Sequence, residues 1–271
     1  MFKTRFLSGA VLTLIMIAVL YFGGYVTGVF VFALSILGVI EVLRIYDLHK
    51  KAPGVLVYIF TALYYALLFL NLDKYIVPLI VVFVLAQLIT YVVTTPKYKD
   101  VNAAAAVLSF FYVTVMLSYM YQIRVLEHGG AFVVMIFICS WINDTCAYLV
   151  GVKFGKHKMT PKLSPKKSVE GLIGGIAGAA IFGALYGIFI NAKVFELENA
   201  ALIFAIVGAL GAGMAVLGDL TASAIKRNND LKDYGKLIPG HGGVMDRFDS
   251  IIFTAPIIYY LLLFMTGNFG G

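Results

Sequence analysis

The sequence predicts an all-α integral membrane protein with about nine transmembrane helices, and three observations support this prediction. The first is composition, since 61% of the residues are hydrophobic and only 13% are charged, whereas a soluble domain is nearer half apolar and a quarter charged. The others are a series of long apolar segments and an uneven distribution of basic residues between them. We expect helices because lipid cannot satisfy the polar groups of an open backbone.

The apolar segments approach the roughly 20 residues that a helix needs to cross a bilayer. The first follows a basic start, as in a signal peptide, but its apolar run is long for one and no A-x-A site follows. We therefore expect it to be retained as a membrane span. The predicted spans are 6–22, 26–43, 55–70, 75–94, 103–123, 131–150, 169–190, 200–225 and 248–265.

The basic residues predict the orientation of these spans. When the connections are assigned alternately to two sides, one side holds 18 of the 21 lysine and arginine residues. The positive-inside rule then places the N-terminus in the cytoplasm and the C-terminus outside. It also places the two long polar connections, 151–168 and 226–247, on the cytoplasmic side of the cell's inner or plasma membrane, where soluble nucleotides are found.

We expect two regions along the chain. Residues 1–130 contain about five N-terminal transmembrane helices, and residues 131–271 contain the C-terminal transmembrane helices with the two polar connections, where we expect the functional site. Glycines crowd the seventh and eighth spans and allow close helix packing, either within one chain or between two copies.

Cys139 and Cys146 would lie about 10 Å apart on one helix, too far for a disulfide.

Acidic residues stand where an apolar environment penalises them. Asp144 and Asp219 lie in or at the edge of predicted spans without an adjacent base, and such residues usually have a functional role. Asp246 and Asp249 begin the last span on one helix face. These carboxylates can meet at one cytoplasmic opening, where they would suit a hard cation such as Mg²⁺.

The polar connections also contain features of anion sites. His241 stands in a Pro-Gly-His-Gly-Gly string, whose glycines permit backbone N–H groups to approach an anion. It either contacts a phosphate or only shapes the loop. Ser168 is a predicted N-cap of the seventh span, with Lys166 and Lys167 before it. That arrangement favours phosphate binding, although the lysines alone would also set topology and hold lipid headgroups.

The string SAIKRNNDLKDYGKLIPGHGGVMDRFD, residues 223–249, resembles the signature of the phosphatidate cytidylyltransferase (CDP-diacylglycerol synthase) family. The resemblance extends to Asp144-x-x-Ala147-Tyr148 and to the string SPKKSVEG at 164–171, and is strong across roughly 140–250. It implies an all-helical membrane enzyme of phospholipid biosynthesis that converts CTP and phosphatidic acid to CDP-diacylglycerol and pyrophosphate. It further implies a divalent cation, membrane-lipid partners and a homodimer; we expect no nucleic-acid partner.

The motif and the residue chemistry together give the candidate site residues. The expected catalytic residues are Asp219, Asp246, Lys226, Arg227 and His241. The expected metal ligands are Asp219, Asp246, Asp144 and Asp249. The expected substrate-binding residues are Lys166, Lys167, Ser168, Ser223, Lys232, Gly242, Gly243 and Arg247.

Two other functions remain open from the residues alone. A transporter would also contain intramembrane carboxylates and glycine-rich helices, but it would not gather its polar residues in two connections on one side. A CDP-alcohol phosphotransferase would need a longer series of spaced aspartates than Asp246 and Asp249 supply.

Overall fold

The structure, a computed structural model, describes residues 2–191, 198–238, 240 and 242–265, with side chains from residue 8 onward. The described part contains nine long helices. They are α1 (Phe2–Phe22), α2 (Gly24–Ile45), α3 (Ala52–Phe69), α4 (Asp73–Thr94), α5 (Asp100–Val125), α6 (Gly129–Phe154), α7 (Val169–Asn191), α8 (Ala200–Asn228) and α9 (Met245–Met265).

Eight of these helices, α2 to α9, are long and apolar enough to cross a membrane. The described apolar part of α1, Ser8–Phe22, is shorter. The prediction of an all-α membrane protein is therefore confirmed, and each predicted span falls on one of the helices. Which side of the membrane each connection occupies stays a prediction.

Two helices contain a π-helical segment. In α5 it covers Phe110–Val115, and in α6 it covers Ile138–Ile142. A π-helical turn is wider than an α-helical turn, shifts the faces of the residues that follow, and often occurs at functional sites. In α6 the segment ends immediately before Asn143 and Asp144, so it sets the direction in which this pair faces.

The chain divides into two compact units, which are described separately. The first unit comprises Met1–Tyr121 and Asp233–Arg247, and the second comprises Gln122–Lys232 and Phe248–Gly271. The predicted division after residue 130 stays a prediction. The first unit is held partly by buried hydroxyl pairs, since Ser35 bonds Tyr65 at 2.7 Å and Thr61 bonds Thr114 at 2.8 Å.

In the second unit, glycines allow α6, α7 and α8 to pack closely. A Cβ at Gly175 would clash with Asn143 of α6, and a Cβ at Gly208 of α8 would clash with the carbonyl oxygen of Ala179 on α7. The glycine faces therefore serve packing within the chain. Both cysteines are free, as expected, and Cys139 is buried.

A short antiparallel hairpin connects α6 to α7. Its strands are β1 (Lys158–Thr160) and β2 (Ser164–Ser168). The sequence does not predict this hairpin, because strands of three and five residues are too short to show an alternating pattern. The hairpin places the lysines of this connection beside the helices of the second unit.

Candidate active site

The second unit contains a cavity of about 550 Å³. Four elements form its walls: the second half of α6, the hairpin, the first turn of α7, and α8. Five of the predicted site residues line it, namely Asp144, Lys166, Lys167, Ser168 and Asp219. The cavity therefore brings together residues that are up to 75 positions apart in the sequence.

The charged centre of the cavity consists of two carboxylates and a lysine. The Lys167 Nζ forms an ion pair with Asp219 Oδ2, and the two side chains are 25% and 33% exposed. Asp144 lies on the same cavity wall, and both Lys167 and Asp219 act on it electrostatically. Such a partly solvated cluster suits a metal-bound phosphate ligand, because the lysine can bind phosphate oxygens and the carboxylates can bind the metal ion.

Two further lysines extend this positive surface. Lys166, which was predicted, and Lys158, which was not, line the same cavity. Lys158 begins β1 and is therefore brought near Lys166 and Lys167 by the pairing of the strands, in which Lys158 lies opposite Ser168. In the sequence Lys158 is one of six basic residues of the 151–168 connection. Only the strand pairing shows that it, unlike most of the others, reaches the cavity.

Ser168 and Glu170 fix the hairpin to the start of α7. The Gly171 N–H donates to Ser168 Oγ at 3.1 Å, which confirms the predicted N-cap. The Glu170 carboxylate accepts hydrogen bonds from the backbone N–H groups of Lys156 at 3.1 Å and His157 at 3.2 Å. Because these contacts hold both ends of the hairpin, they position the cavity lysines.

Asn143 is a polar residue of the cavity that the sequence analysis missed. Its side chain is fully buried, and neither its Nδ2 nor its Oδ1 has a hydrogen-bond partner within the described residues. A buried amide without a partner is costly, and it adds polar character to the wall next to Asp144.

The end of α8 carries the next predicted residues. Ser223 and Lys226 follow Asp219 on this helix and are half-buried. Arg227 is exposed, and its Nη1 donates to the Leu231 carbonyl at 3.2 Å, while Lys232 is exposed beyond the helix. None of these four lines the cavity.

Asp249 lies where α8 and α9 cross. A Cβ at Gly218 would lie 2.5 Å from the Asp249 carbonyl oxygen, so the two backbones touch one residue before Asp219. The Asp249 Oδ1 accepts the Ser250 N–H at 2.8 Å. The crossing brings the Asp249 backbone next to Gly218, the residue before Asp219, and the role of Asp249 as a metal ligand stays a prediction.

Asp246 belongs to the first unit and organises the loop before α9. Its Oδ2 accepts the N–H groups of Tyr234 at 2.8 Å and Gly243 at 2.9 Å, and the residue is only 9% exposed. The Gly243 N–H thus binds a carboxylate of the protein itself. Gly242 has a φ of +86°, a left-handed conformation that glycine adopts without strain, and Arg247 is exposed. His241 lies outside the described residues.

A second buried carboxylate in the first unit was not predicted. Glu41 of α2 is 4% exposed and accepts the Val244 N–H at 3.0 Å and the Met245 N–H at 2.9 Å. The sequence does contain a signal, an acidic residue within an apolar span, with Arg44 three positions later. Its partners lie 203 and 204 residues away.

The donor set of the cavity fits a hard divalent cation. Asp144 and Asp219 supply oxygen ligands, and Mg²⁺ commonly takes one or two carboxylates together with waters and substrate phosphates. Among the described residues, no group of three or more His, Cys, Asp or Glu side chains is arranged to hold a metal ion. A cation here would therefore need substrate or water to complete its coordination.

The fold and cavity define a class, a multi-pass helical membrane protein with a site of lysines and carboxylates suited to phosphate-bearing ligands. The chain belongs to the cytidylyltransferase family, whose model matches residues 3–265. It is 30% identical to the phosphatidate cytidylyltransferase of Staphylococcus aureus (strain COL), over 96% of this chain and 99% of that protein. It is 31% identical to the phosphatidate cytidylyltransferase of Staphylococcus haemolyticus, over 97% and 100%.

Proposed function

We propose that this protein transfers the cytidylyl group of CTP to phosphatidate, giving CDP-diacylglycerol and pyrophosphate, as a step in phospholipid biosynthesis. The observation that carries the proposal is the cavity in which Asp144, Lys167 and Asp219 meet. It occurs in a chain that is similar over nearly its full length to proteins named phosphatidate cytidylyltransferases.

The reaction requires alignment more than acid–base chemistry. A phosphate oxygen of phosphatidate attacks the α-phosphorus of CTP, a new P–O bond forms, and the bond from the α-phosphorus to the β-phosphate bridging oxygen breaks. Pyrophosphate leaves with that bonding pair. Because the nucleophile is already an anion, the protein's main tasks are to hold two anionic substrates in line and to neutralise their charge.

The cavity lysines supply this neutralisation. Lys158, Lys166 and Lys167 line one cavity, and each ammonium can donate to phosphate oxygens. Lys167 also pairs with Asp219, which holds the ammonium in place before substrate binds. A phosphate that enters the cavity gains a preoriented cation instead of a freely moving one, so less entropy is lost when the complex forms.

We extend the proposal to a divalent cation held by Asp144 and Asp219, with Asp249 as a further predicted ligand; that Asp246 is a metal ligand stays a prediction from the sequence. When bound, such an ion stabilises negative charge that develops on the transferring and leaving phosphates. The lysines and carboxylates then share the work, since the carboxylates hold the ion and the lysines contact phosphate oxygens directly.

The same proposal includes orientation and assembly. The cavity faces the cytoplasm, which the 18 basic residues on one predicted side support, and CTP enters from there. Phosphatidate comes from the surrounding membrane. Two copies form a homodimer, as the family resemblance implies. Because the glycine faces of α7 and α8 pack within the chain, the dimer uses a different surface.

The test uses purified full-length protein in detergent with Mg²⁺ and CTP labelled on either the α- or the γ-phosphate. With phosphatidate present, the α-label should enter the lipid fraction and the γ-label should stay in water as pyrophosphate. Without phosphatidate neither transfer should occur. Hydrolysis of CTP that does not depend on lipid would contradict the proposal. Folded protein that shows no reaction but conducts ions in sealed vesicles would contradict it as well and would favour the transporter.

A further inference from the structure

The loop that carries Asp246 is held by a carboxylate from a distant helix. Glu41 of α2 accepts the N–H groups of Val244 and Met245, at 3.0 and 2.9 Å. Both donors stand at the start of α9, where the first N–H groups of a helix have no partner within the helix itself. The positive end of the helix dipole points toward the same place. Glu41 therefore acts as an N-cap supplied by another part of the chain.

The surroundings of Glu41 are shaped to admit its carboxylate. A Cβ at Gly235 would lie 2.5 Å from Glu41 Oε1, and a Cβ at Gly243 would also clash with this carboxylate. Met245 packs in addition against Gly38, one helical turn before Glu41 on α2. Two glycines of the loop and one of α2 thus allow a close approach that a larger residue would prevent.

Because Glu41 is buried, its carboxylate needs hydrogen-bond donors from the protein in place of water. Glu41 is 4% exposed, and a buried carboxylate is strongly destabilising unless hydrogen bonds compensate it. Two N–H donors from one turn provide that compensation at good distances. The carboxylate and the loop consequently stabilise each other, and displacing the loop would leave Glu41 without these two hydrogen bonds.

Asp246 follows these donors directly and fastens the same loop from within. Its Oδ2 accepts the Tyr234 and Gly243 N–H groups. The loop is therefore fixed at its two ends by Asp246 and at the start of α9 by Glu41, and all these residues lie in the first unit. Because Glu41 holds Val244 and Met245, the two residues between Gly243 and Asp246, it limits where the Asp246 side chain can lie.

We propose that Glu41 is a positioning residue of the cytidylyltransferase reaction, which acts by holding the 234–245 loop and the start of α9 so that Asp246 is presented in its reactive position. This proposal rests on the proposed function for its catalytic part only. The loop-holding part is a statement about the protein's own structure and has its own readout.

The test compares Glu41→Gln with Ser35→Ala in full-length protein. Glutamine keeps the size of the side chain but has one oxygen and an N–H₂ group, so one of the two backbone donors loses its acceptor. Ser35 is also fully buried on α2, and its hydroxyl bonds Tyr65. Ser35→Ala therefore removes a buried hydrogen bond of the same helix without touching the loop.

The first readout is backbone hydrogen exchange. Glu41→Gln should speed exchange in the 234–245 peptides while the peptides of α2 and α3 keep their protection. Ser35→Ala should affect the α2 and α3 peptides instead. Unchanged exchange of the loop in Glu41→Gln, or faster exchange spread evenly over all helices, would overturn the proposal.

The second readout is steady-state kinetics with CTP and phosphatidate. Glu41→Gln should lower kcat about 100-fold, the loss expected when a reacting group is misplaced by about 1 Å, with a smaller change in KM. Glu41→Asp, which restores the charge, should recover part of this loss, whereas Ser35→Ala should retain kcat. Equal kcat in Glu41→Gln and wild type would refute the catalytic part. An inactive wild type with the expected exchange pattern would refute the proposed function and leave the loop-holding role intact.

Discussion

Lys167, at the end of β2, forms an ion pair with Asp219 of α8 on the wall of the cavity. The two side chains remain 25% and 33% exposed, and ion pairs with this much solvent contribute little to stability. The pair also lies beside Asp144. Its position is therefore better explained by the binding of charged ligands than by stabilisation of the fold.

The first prediction concerns this pair. Lys167→Ala and Asp219→Asn should each lower kcat/KM about 100-fold or more, the usual loss when one charge-stabilising group is removed from an active site. Since the two residues act together, the double variant should lose little beyond either single one. Initial rates of pyrophosphate release over a range of CTP concentrations provide the measurement.

Lys162→Ala is the matched control for this experiment. Lys162 stands in the turn of the same hairpin, is exposed, and does not line the cavity. Its variant should keep wild-type kcat/KM. All four proteins should unfold at similar temperatures, and a strictly additive double variant would show that Lys167 and Asp219 act independently.

The helical fold was readable from the sequence because it depends on local properties. The predicted eighth span, 200–225, corresponds to α8 at Ala200–Asn228, since apolar length and the polar residues beyond it mark both ends. The hairpin and the π-helical segment of α6 were not readable. Both arise from tertiary packing, and neither leaves a periodic pattern in three to five residues.

The candidate site was readable only in part. Asp144 and Asp219 were found because carboxylates in apolar segments demand an explanation. Glu41 meets the same criterion, but its partners at Val244 and Met245 are distant in sequence, and no pattern in one sequence links them. Lys158 was hidden for another reason, since only its place opposite Ser168 in the hairpin brings it to the cavity.

The second prediction concerns helix packing in the second unit. Gly208→Ala should destabilise the protein by about 1–3 kcal/mol, as overpacking usually does, because the added methyl group meets the backbone carbonyl of Ala179. Gly213→Ala is the control on the same helix, since no described atom beyond the neighbouring residues and adjoining backbone of α8 lies within 4 Å of the position its Cβ would take.

Thermal unfolding in one detergent should rank these proteins. Gly208→Ala should unfold at a lower temperature than wild type, and Gly213→Ala should unfold at the same temperature or slightly higher, because alanine favours a helix over glycine. Equal destabilisation by both substitutions would mean that the close α7–α8 contact does not limit stability.

The third prediction concerns the divalent cation. Chelation of divalent ions should abolish turnover, and added Mg²⁺ should restore it. If Asp144 is a ligand, Asp144→Asn should raise the Mg²⁺ concentration that gives half-maximal rate about tenfold or more, because an amide oxygen binds a hard cation more weakly than a carboxylate does.

Asp100→Asn is a suitable comparison. Asp100 begins α5, is exposed, and is not one of the residues that line the cavity, so its variant should keep the wild-type Mg²⁺ dependence. An Asp144→Asn protein that loses rate at every Mg²⁺ concentration without a shift of the midpoint would assign Asp144 to substrate contact and not to the ion.

The last prediction concerns the orientation of the protein in the membrane. The hairpin and the 226–247 connection are predicted to face the cytoplasm, whereas Lys74, in the exposed first turn of α4, is predicted to face outside. A cysteine at Lys74 should therefore react with a membrane-impermeant maleimide in intact cells. A cysteine at Lys162 should react only after the membrane is permeabilised. Cys146→Ser provides the parent protein, since the remaining Cys139 is buried. Labelling of Lys162→Cys in intact cells would show that the orientation is the opposite of the predicted one. The cavity would then have no direct access to cytoplasmic CTP.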